Sequence, residues 1–125
     1  MDAEKVIREL SQRYPGKKII KNEEESPTEI LCEIDPTSDH PERDVAIAVI
    51  DRSKPHYHKK TREIYEVTKG SLIVNKNGID FHLKEGEKLV IEPGEVHFAV
   101  GDETWITTYS EPGWTIEDHI LIDQD

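Results

Sequence analysis

The chain of 125 residues holds one cysteine, one methionine and two phenylalanines. A lone cysteine, Cys32, cannot close an internal disulfide, so nothing in the sequence points to an oxidising compartment. No apolar run approaches the roughly 18 residues of a spanning helix, and no basic-then-apolar leader opens the chain. A cytoplasmic location is therefore expected. Positive charge is also short: 16 Lys and Arg stand against 27 Asp and Glu, a formal net charge of −11. Such a chain has no general attraction for phosphate backbones or anionic membrane surfaces, which excludes nucleic acid and membrane as its main partners. Apolar residues make up only 34% and the mean hydropathy is −0.70. The core must be economical, and the length suits one domain.

What apolar content there is falls into short regular bursts. The first fourteen residues differ from the rest: Val6, Ile7, Leu10 and Tyr14 are at helical spacing, Asp2 can serve as N-cap, and Pro15-Gly16 stops the helix. Strand-like bursts follow at 17–20, 28–34, 45–51, 63–70, 71–75, 79–84, 88–92, 96–100 and 104–110. Turn signals separate them, among them NKNG, KEGE, EPGE and VGDE. Short strands at such spacings predict an all-β sandwich or barrel. The acidic run NEEESP at 22–27 reads as a solvated loop. Residues 1–27 are expected to form a helix and arm packing on a barrel of residues 28–125. Val45 to Ile50 is apolar throughout, as in a strand covered on both faces. Ile79, Phe81 and Leu83 alternate with Asp80, His82 and Lys84, which turns His82 to solvent. By the same alternation Glu63 shares an inward face with Tyr65 and Val67, and a buried carboxylate needs a partner.

The histidines suggest what that partner is. His56 and His58 flank Tyr57, and in an extended strand residues i and i+2 project from one face about 6.5–7 Å apart. Two imidazoles so placed can reach a single metal ion with bonds near 2.0–2.1 Å. Glu63 follows the polar stretch KKTR, which predicts a hairpin setting Glu63 opposite the two histidines. His97, just after the turn Glu92-Pro93-Gly94-Glu95, is the fourth candidate. Three imidazoles and a carboxylate suit one divalent transition metal, Fe, Mn, Ni, Co or Zn, rather than Ca or Mg.

These residues resemble the cupins. The first cupin motif, G-x5-H-x-H-x(3–4)-E-x6-G, is matched by His56, His58, Glu63 and Gly70. The second, G-x5-P-x-G-x2-H-x3-N, is matched by Gly86, Gly94 and His97. Three positions depart: Ile50 replaces the first glycine, Glu92 the proline and Gly101 the asparagine, and none of them removes a ligand. The resemblance covers roughly residues 28–120 and implies an all-β, antiparallel jelly-roll barrel, with a metal held by His56, His58, Glu63 and His97. The chain resembles small single-domain cupins of the mannose-6-phosphate isomerase-like group, and the closing segment SEPGWTIEDHIL looks like the ending of such proteins.

That resemblance implies a metal-dependent isomerase acting on a small sugar or sugar phosphate, the metal serving as Lewis acid and Tyr65 as the candidate base. No phosphate-cradling glycine loop is visible, which weakens a phosphorylated substrate. Two other readings stand beside it: an O2-dependent oxidoreductase, and a non-catalytic binding module using the barrel as a cup. His40 and His119 are read as lying outside the site. Trp105, Tyr109 and Phe98 are read as barrel packing, Cys32 as a buried small hydrophobe, and Lys59, Lys60 and Arg62 as a charged hairpin tip. Apolar strands and an N-terminal arm containing Ile19 and Ile20 predict a homodimer joined through that region.

Overall fold

The computed structural model describes residues 1–122. Helix α1, Ala3–Arg13, starts where expected: the Asp2 side chain accepts the Lys5 N–H at 3.2 Å. It ends at Tyr14, after which Gly16 takes a positive φ of 79°. Ten strands follow in a single curled sheet. They are β1 (Ile19–Lys21), β2 (Glu29–Asp35), β3 (Asp44–Arg52), β4 (His56–Tyr57), β5 (Arg62–Lys69), β6 (Leu72–Lys76), β7 (Ile79–Leu83), β8 (Lys88–Ile91), β9 (His97–Glu111) and β10 (Ile120–Leu121). Every pairing is antiparallel. No helix among the described residues is long and apolar enough to cross a membrane.

Strand alternation divides the apolar residues between two cores. From β2 and β3, Ile30, Cys32, Ile47 and Val49 face outward, where Val6 and Leu10 of α1 and Trp105 cover them. From β3, β5, β6 and β9, Ala48, Ile50, Tyr65, Val67, Leu72, Val74, Ala99 and Ile106 fill the barrel interior. β3 is thus covered on both faces, as its unbroken apolar run predicts. At roughly 25 cal/mol per Å² of apolar surface, the outer layer lets a chain with few hydrophobic residues bury more of them than a bare barrel would. Glu29, Leu31 and Glu33, on the opposite face of β2, look into the barrel mouth.

Three expectations are corrected. The VGDE stretch is no break: β9 runs through it for 15 residues. Its first half pairs with β6 and β4, its second with β3 and β5. The chain changes partners at Gly101–Thr104, where Glu103 takes a φ of 47° and its N–H donates to Asp51 at 2.8 Å. Second, β4 and β5 form no hairpin, since β4 pairs with β9 and β10 while β5 pairs with β8 and β9. The 59–61 loop between them has another anchor. The Asp118 carboxylate accepts the N–H groups of Lys59, Lys60 and Thr61 at 2.9, 3.1 and 3.1 Å. Third, Ile79 is 62% exposed, because β7 is paired on one side only and its start lies beyond the core; Leu83 is buried and His82 faces solvent as expected.

Candidate metal centre

His56 lies on β4, directly opposite His97 on β9 in the ladder. His58 leaves the end of β4, and Glu63 enters from β5 on the face shared with Tyr65 and Val67. The turn before His97 needs a glycine, since Gly94 has φ 85°, and the Gly94 N–H donates to the His58 carbonyl at 2.7 Å, tying the two motifs together. One potential ligand atom from each of the four residues falls within 4.8 Å of the others. All four are buried, with exposures of 5, 2, 6 and 0% for His56, His58, Glu63 and His97.

Hydrogen bonding fixes the ring orientations. His56 Nδ1 meets the Lys54 carbonyl at 2.7 Å, His58 Nδ1 the Asp118 carbonyl at 2.9 Å, and His97 Nδ1 the Glu95 carbonyl at 2.9 Å. A carbonyl only accepts, so each Nδ1 carries a proton and each Nε2 presents a lone pair. This is the outer support that metal-binding imidazoles characteristically have. His58 Nε2, His97 Nε2 and Glu63 Oε1 are buried without a hydrogen-bond partner. The Glu63 oxygen lies 3.0 Å from His58 Nε2 and 3.5 Å from His97 Nε2, but neither approach has hydrogen-bond geometry. Three polar atoms orphaned in a protein interior are costly, and a divalent ion would satisfy them together. The residues fit a metal.

Charge follows the same pattern. Desolvation, reinforced by the neighbouring His97 and His119, pushes His56 down to about 3, so its ring is neutral and available as a donor. Burial opposes ionisation of Glu63, but contacts with His58 and His97 outweigh it and hold the carboxyl well below its ordinary value. Burial opposes protonation of His58 too, yet the adjacent Glu63 raises it above the usual imidazole value.

A cavity of about 70 Å³ sits over this cluster, lined by Glu29, Glu33, Tyr65, Trp114 and His119 among others. It shares Glu29, His56, Trp114 and His119 with an outer vestibule of about 260 Å³. The arrangement is a floor of four candidate metal ligands with one open side. The fold is a cupin fold. Pac13, a nucleoside dehydratase, aligns over 89% of this chain and 90% of its own with a TM-score of 0.74 at 11% identity. The RmlC-like cupin of Shewanella frigidimarina aligns over 82% and 88%, with a TM-score of 0.65 at 17% identity. KdgF of a Halomonas species aligns over 74% and 87%, with a TM-score of 0.64 at 20% identity. No family model and no curated protein matches the sequence.

Several side chains of the cupin cup escape the sequence reading. His119, expected outside the site, stacks on His56 with ring centroids 4.1 Å apart and planes 17° from parallel. Trp114 Nε1–H donates to its Nδ1 at 3.1 Å. Glu29, half-buried on the facing wall, is pushed up to about 7 by desolvation, with the Glu63 charge adding to it. The signal for Glu29 is its place on an inward face of β2 between apolar neighbours; no local signal marks His119. Tyr65 lines the cup, with its ring 6.1 Å from that of His97. Burial, then the charges of Glu63 and Glu29, raises its phenol well above the ordinary value. That keeps the phenol protonated near neutral pH, with its O–H available to donate. Lys59, Lys60 and Arg62 are exposed and line neither cavity, and Arg62 pairs with Glu92 at 2.8 Å. His40 pairs with Asp35 at 2.7 Å, away from the cup. Of the three aromatics read as barrel packing, only Trp105 is buried, and it packs under α1. The Tyr109 hydroxyl donates to Glu66, and Phe98 lies under the Arg52 guanidinium.

Proposed function

We propose that this chain is a metal-dependent cupin enzyme acting on a small, uncharged, hydroxyl-rich molecule of the sugar kind, moving a proton next to a carbonyl in an isomerase-type reaction. The observation that carries the reading is the convergence of orphaned donors from His58, Glu63 and His97, with His56 beside them, on the floor of a cup whose other wall holds Glu29. His56, His58, Glu63 and His97 would hold the ion. When bound, it would supply Lewis acidity towards a carbonyl or hydroxyl oxygen. Glu29 would take up and return the substrate proton, since its value near neutrality matches a general base working near pH 7. Tyr65 would donate a hydrogen bond from the inner wall.

The inner cavity is lined by Glu29, Glu33, Asp44 and Glu63 and by no Lys or Arg, and the two lysines of the vestibule, Lys21 and Lys54, pair with Glu24 and Glu23; this favours a neutral substrate over a phosphorylated one. The likeness to Pac13, described as a nucleoside dehydratase and solved with uridine, supports a polar sugar-bearing substrate. The test is elemental analysis of the native protein, followed by incubation of the metal-loaded form with neutral aldoses and ketoses in D2O. Deuterium should enter at the carbon beside the carbonyl. The rate should fall about 10²- to 10⁴-fold in Glu29→Gln, the usual span for a lost general base. Sugar binding without exchange would refute the enzyme reading in favour of a binding module. Bound iron with oxygen consumption would refute it in favour of an oxidoreductase. A homodimer through the N-terminal region belongs to the same proposal: β1 ends the sheet with one side unpaired. Light scattering at micromolar concentration that returned the monomer mass would refute it.

A further inference from the structure

His119 differs from the other three imidazoles of the cup in one decisive respect. His56, His58 and His97 each direct Nδ1–H at a backbone carbonyl and leave Nε2 as a lone pair. His119 is reversed. Its Nδ1 lies 3.1 Å from Trp114 Nε1, and an indole nitrogen can only donate, so this Nδ1 is the acceptor and the ring proton is on Nε2. A ring in that state cannot join its neighbours as a metal ligand through Nε2. Among the described residues the ring makes no other hydrogen bond, and its Nε2 is not among the sealed, unpartnered atoms of the interior. The ring lines both the inner cavity and the vestibule, held flat against His56.

We propose that His119 is a substrate-binding residue, a hydrogen-bond donor locked by Trp114 in the Nε2–H tautomer and presented to an oxygen atom of the molecule seated beside the metal. The proposal rests on the metal reading above and adds a recognition element to it. The cup would then hold its ligand between a cation on the floor and a fixed N–H on the side. A substrate with two neighbouring oxygen atoms meets that pair; an apolar molecule of the same size leaves the N–H unsatisfied and is rejected. The donor comes from the closing segment of the chain, and the candidate ligands come from the two cupin motifs. The ligand set can therefore stay fixed while the donor changes.

The test uses the full chain loaded with zinc or cobalt. In the zinc form, long-range ¹⁵N–¹H spectra should show His119 protonated at Nε2, with His56, His58 and His97 protonated at Nδ1. In the cobalt form, acetohydroxamate, a small chelator with two adjacent oxygens, is titrated by visible absorption. His119→Phe keeps the stack on His56 but has no donor, and should bind the probe about fivefold more weakly, as loss of one neutral hydrogen bond predicts. His119→Gln restores an N–H at similar reach and should stay within about twofold of wild type. Trp114→Phe leaves His119 in place but frees its tautomer, and should show a mixture of both forms and an intermediate affinity. Cobalt content should be equal in all four proteins. A proton on Nδ1 of His119, a His119→Phe protein that binds the probe as wild type does, or a wild type that takes up cobalt but no probe, would each overturn the proposal and leave the metal reading intact. A wild type that takes up no cobalt would overturn both.

Discussion

Asp118 offers the sharpest test of how the barrel holds the loop that follows His58. Its carboxylate accepts three successive backbone N–H groups, those of Lys59, Lys60 and Thr61, while its own carbonyl accepts His58 Nδ1–H. Three amides converging on one carboxylate make a small anion nest. Burial opposes ionisation there, but those N–H groups hold the carboxyl below its ordinary value. Asp118→Ala removes the carboxylate and leaves the carbonyl. Hydrogen bonds to a charged acceptor are worth about 1.5–3 kcal/mol each when buried; water competes for these, which are near the surface, and about 0.5–1 kcal/mol each is the better scale. The sum is roughly 2 kcal/mol, read by urea unfolding in chelator. Asp118→Asn, which keeps a neutral acceptor oxygen, should lose about half of that. Metal affinity should fall about tenfold or more in the Ala variant, because the loosened loop carries His58, and losing such outer support generally costs 10- to 100-fold. An Asp118→Ala protein that unfolds within about 0.5 kcal/mol of wild type and binds metal unchanged would refute the argument.

Four further expectations follow from named contacts. A Cβ at Gly101 would lie 2.9 Å from the Ile50 carbonyl oxygen, so Gly101→Ala should cost about 2–3 kcal/mol in urea unfolding, and a loss below about 0.5 kcal/mol would show that the strands yield there. Metal at 100 times its Kd should stabilise wild type by about 2.7 kcal/mol; thermal melting with metal and with chelator should show that increment mostly lost in His97→Ala and kept in His82→Ala. In metal-free protein, His56 and His119 titrate near 3 and 4, below the ordinary 6.5, so the unfolded chain takes up their protons first. Their contribution is present in full above about pH 6.5 and is lost as pH falls towards 3–4, by up to about 1.4 kcal/mol per pH unit each, with the raised value of His58 offsetting part; urea midpoints that stay flat from pH 7 to 4.5 would contradict this. Cys32 is fully buried beneath α1 and its thiol is raised by desolvation, so a thiol reagent should label the folded protein slowly, and rapid labelling would mean that α1 leaves the sheet.

Much of the fold is legible because alternation and turn chemistry are local. The helix needs only the Asp2 cap and the spacing of Val6 and Leu10, and the strand bursts need only their periodicity. The breaks in that legibility are where a distant partner decides. The residues VGDE carry turn chemistry, yet Asp51 captures the Glu103 N–H and Thr104 binds the Ser71 carbonyl, so the strand bends there and continues. The stretch KKTR reads as a hairpin tip, but the carboxylate that shapes its neighbourhood is more than fifty residues away. The glycine at position 101, where the cupin motif has asparagine, has a reason too: a Cβ there would strike the Thr104 side chain, folded back by the bend in β9, and then the Ile50 carbonyl of β3.

The two sets of residues in the cup differ for a physical reason. A metal demands particular donors at fixed separations, and on strands those separations become short, regular sequence spacings; that is why His56, His58, Glu63 and His97 can be picked out together. Recognition of a small molecule demands only that some donor or acceptor reach the right point, from any element that passes. Glu29 comes from β2, and Trp114 and His119 come from the segment that returns through the short pairing of β10 with β4. Ile120 pairs with Tyr57 and Leu121 with His56, so the last described strand is fastened to the strand that carries the first histidine. Changes in that segment therefore reach both the shape of the cup and the support of His58, without touching either motif. On the proposed function, substrate choice should be sought first in residues 112–122 and in the inward face of β2, where substitutions alter the lining of the cup while leaving the candidate ligands in place.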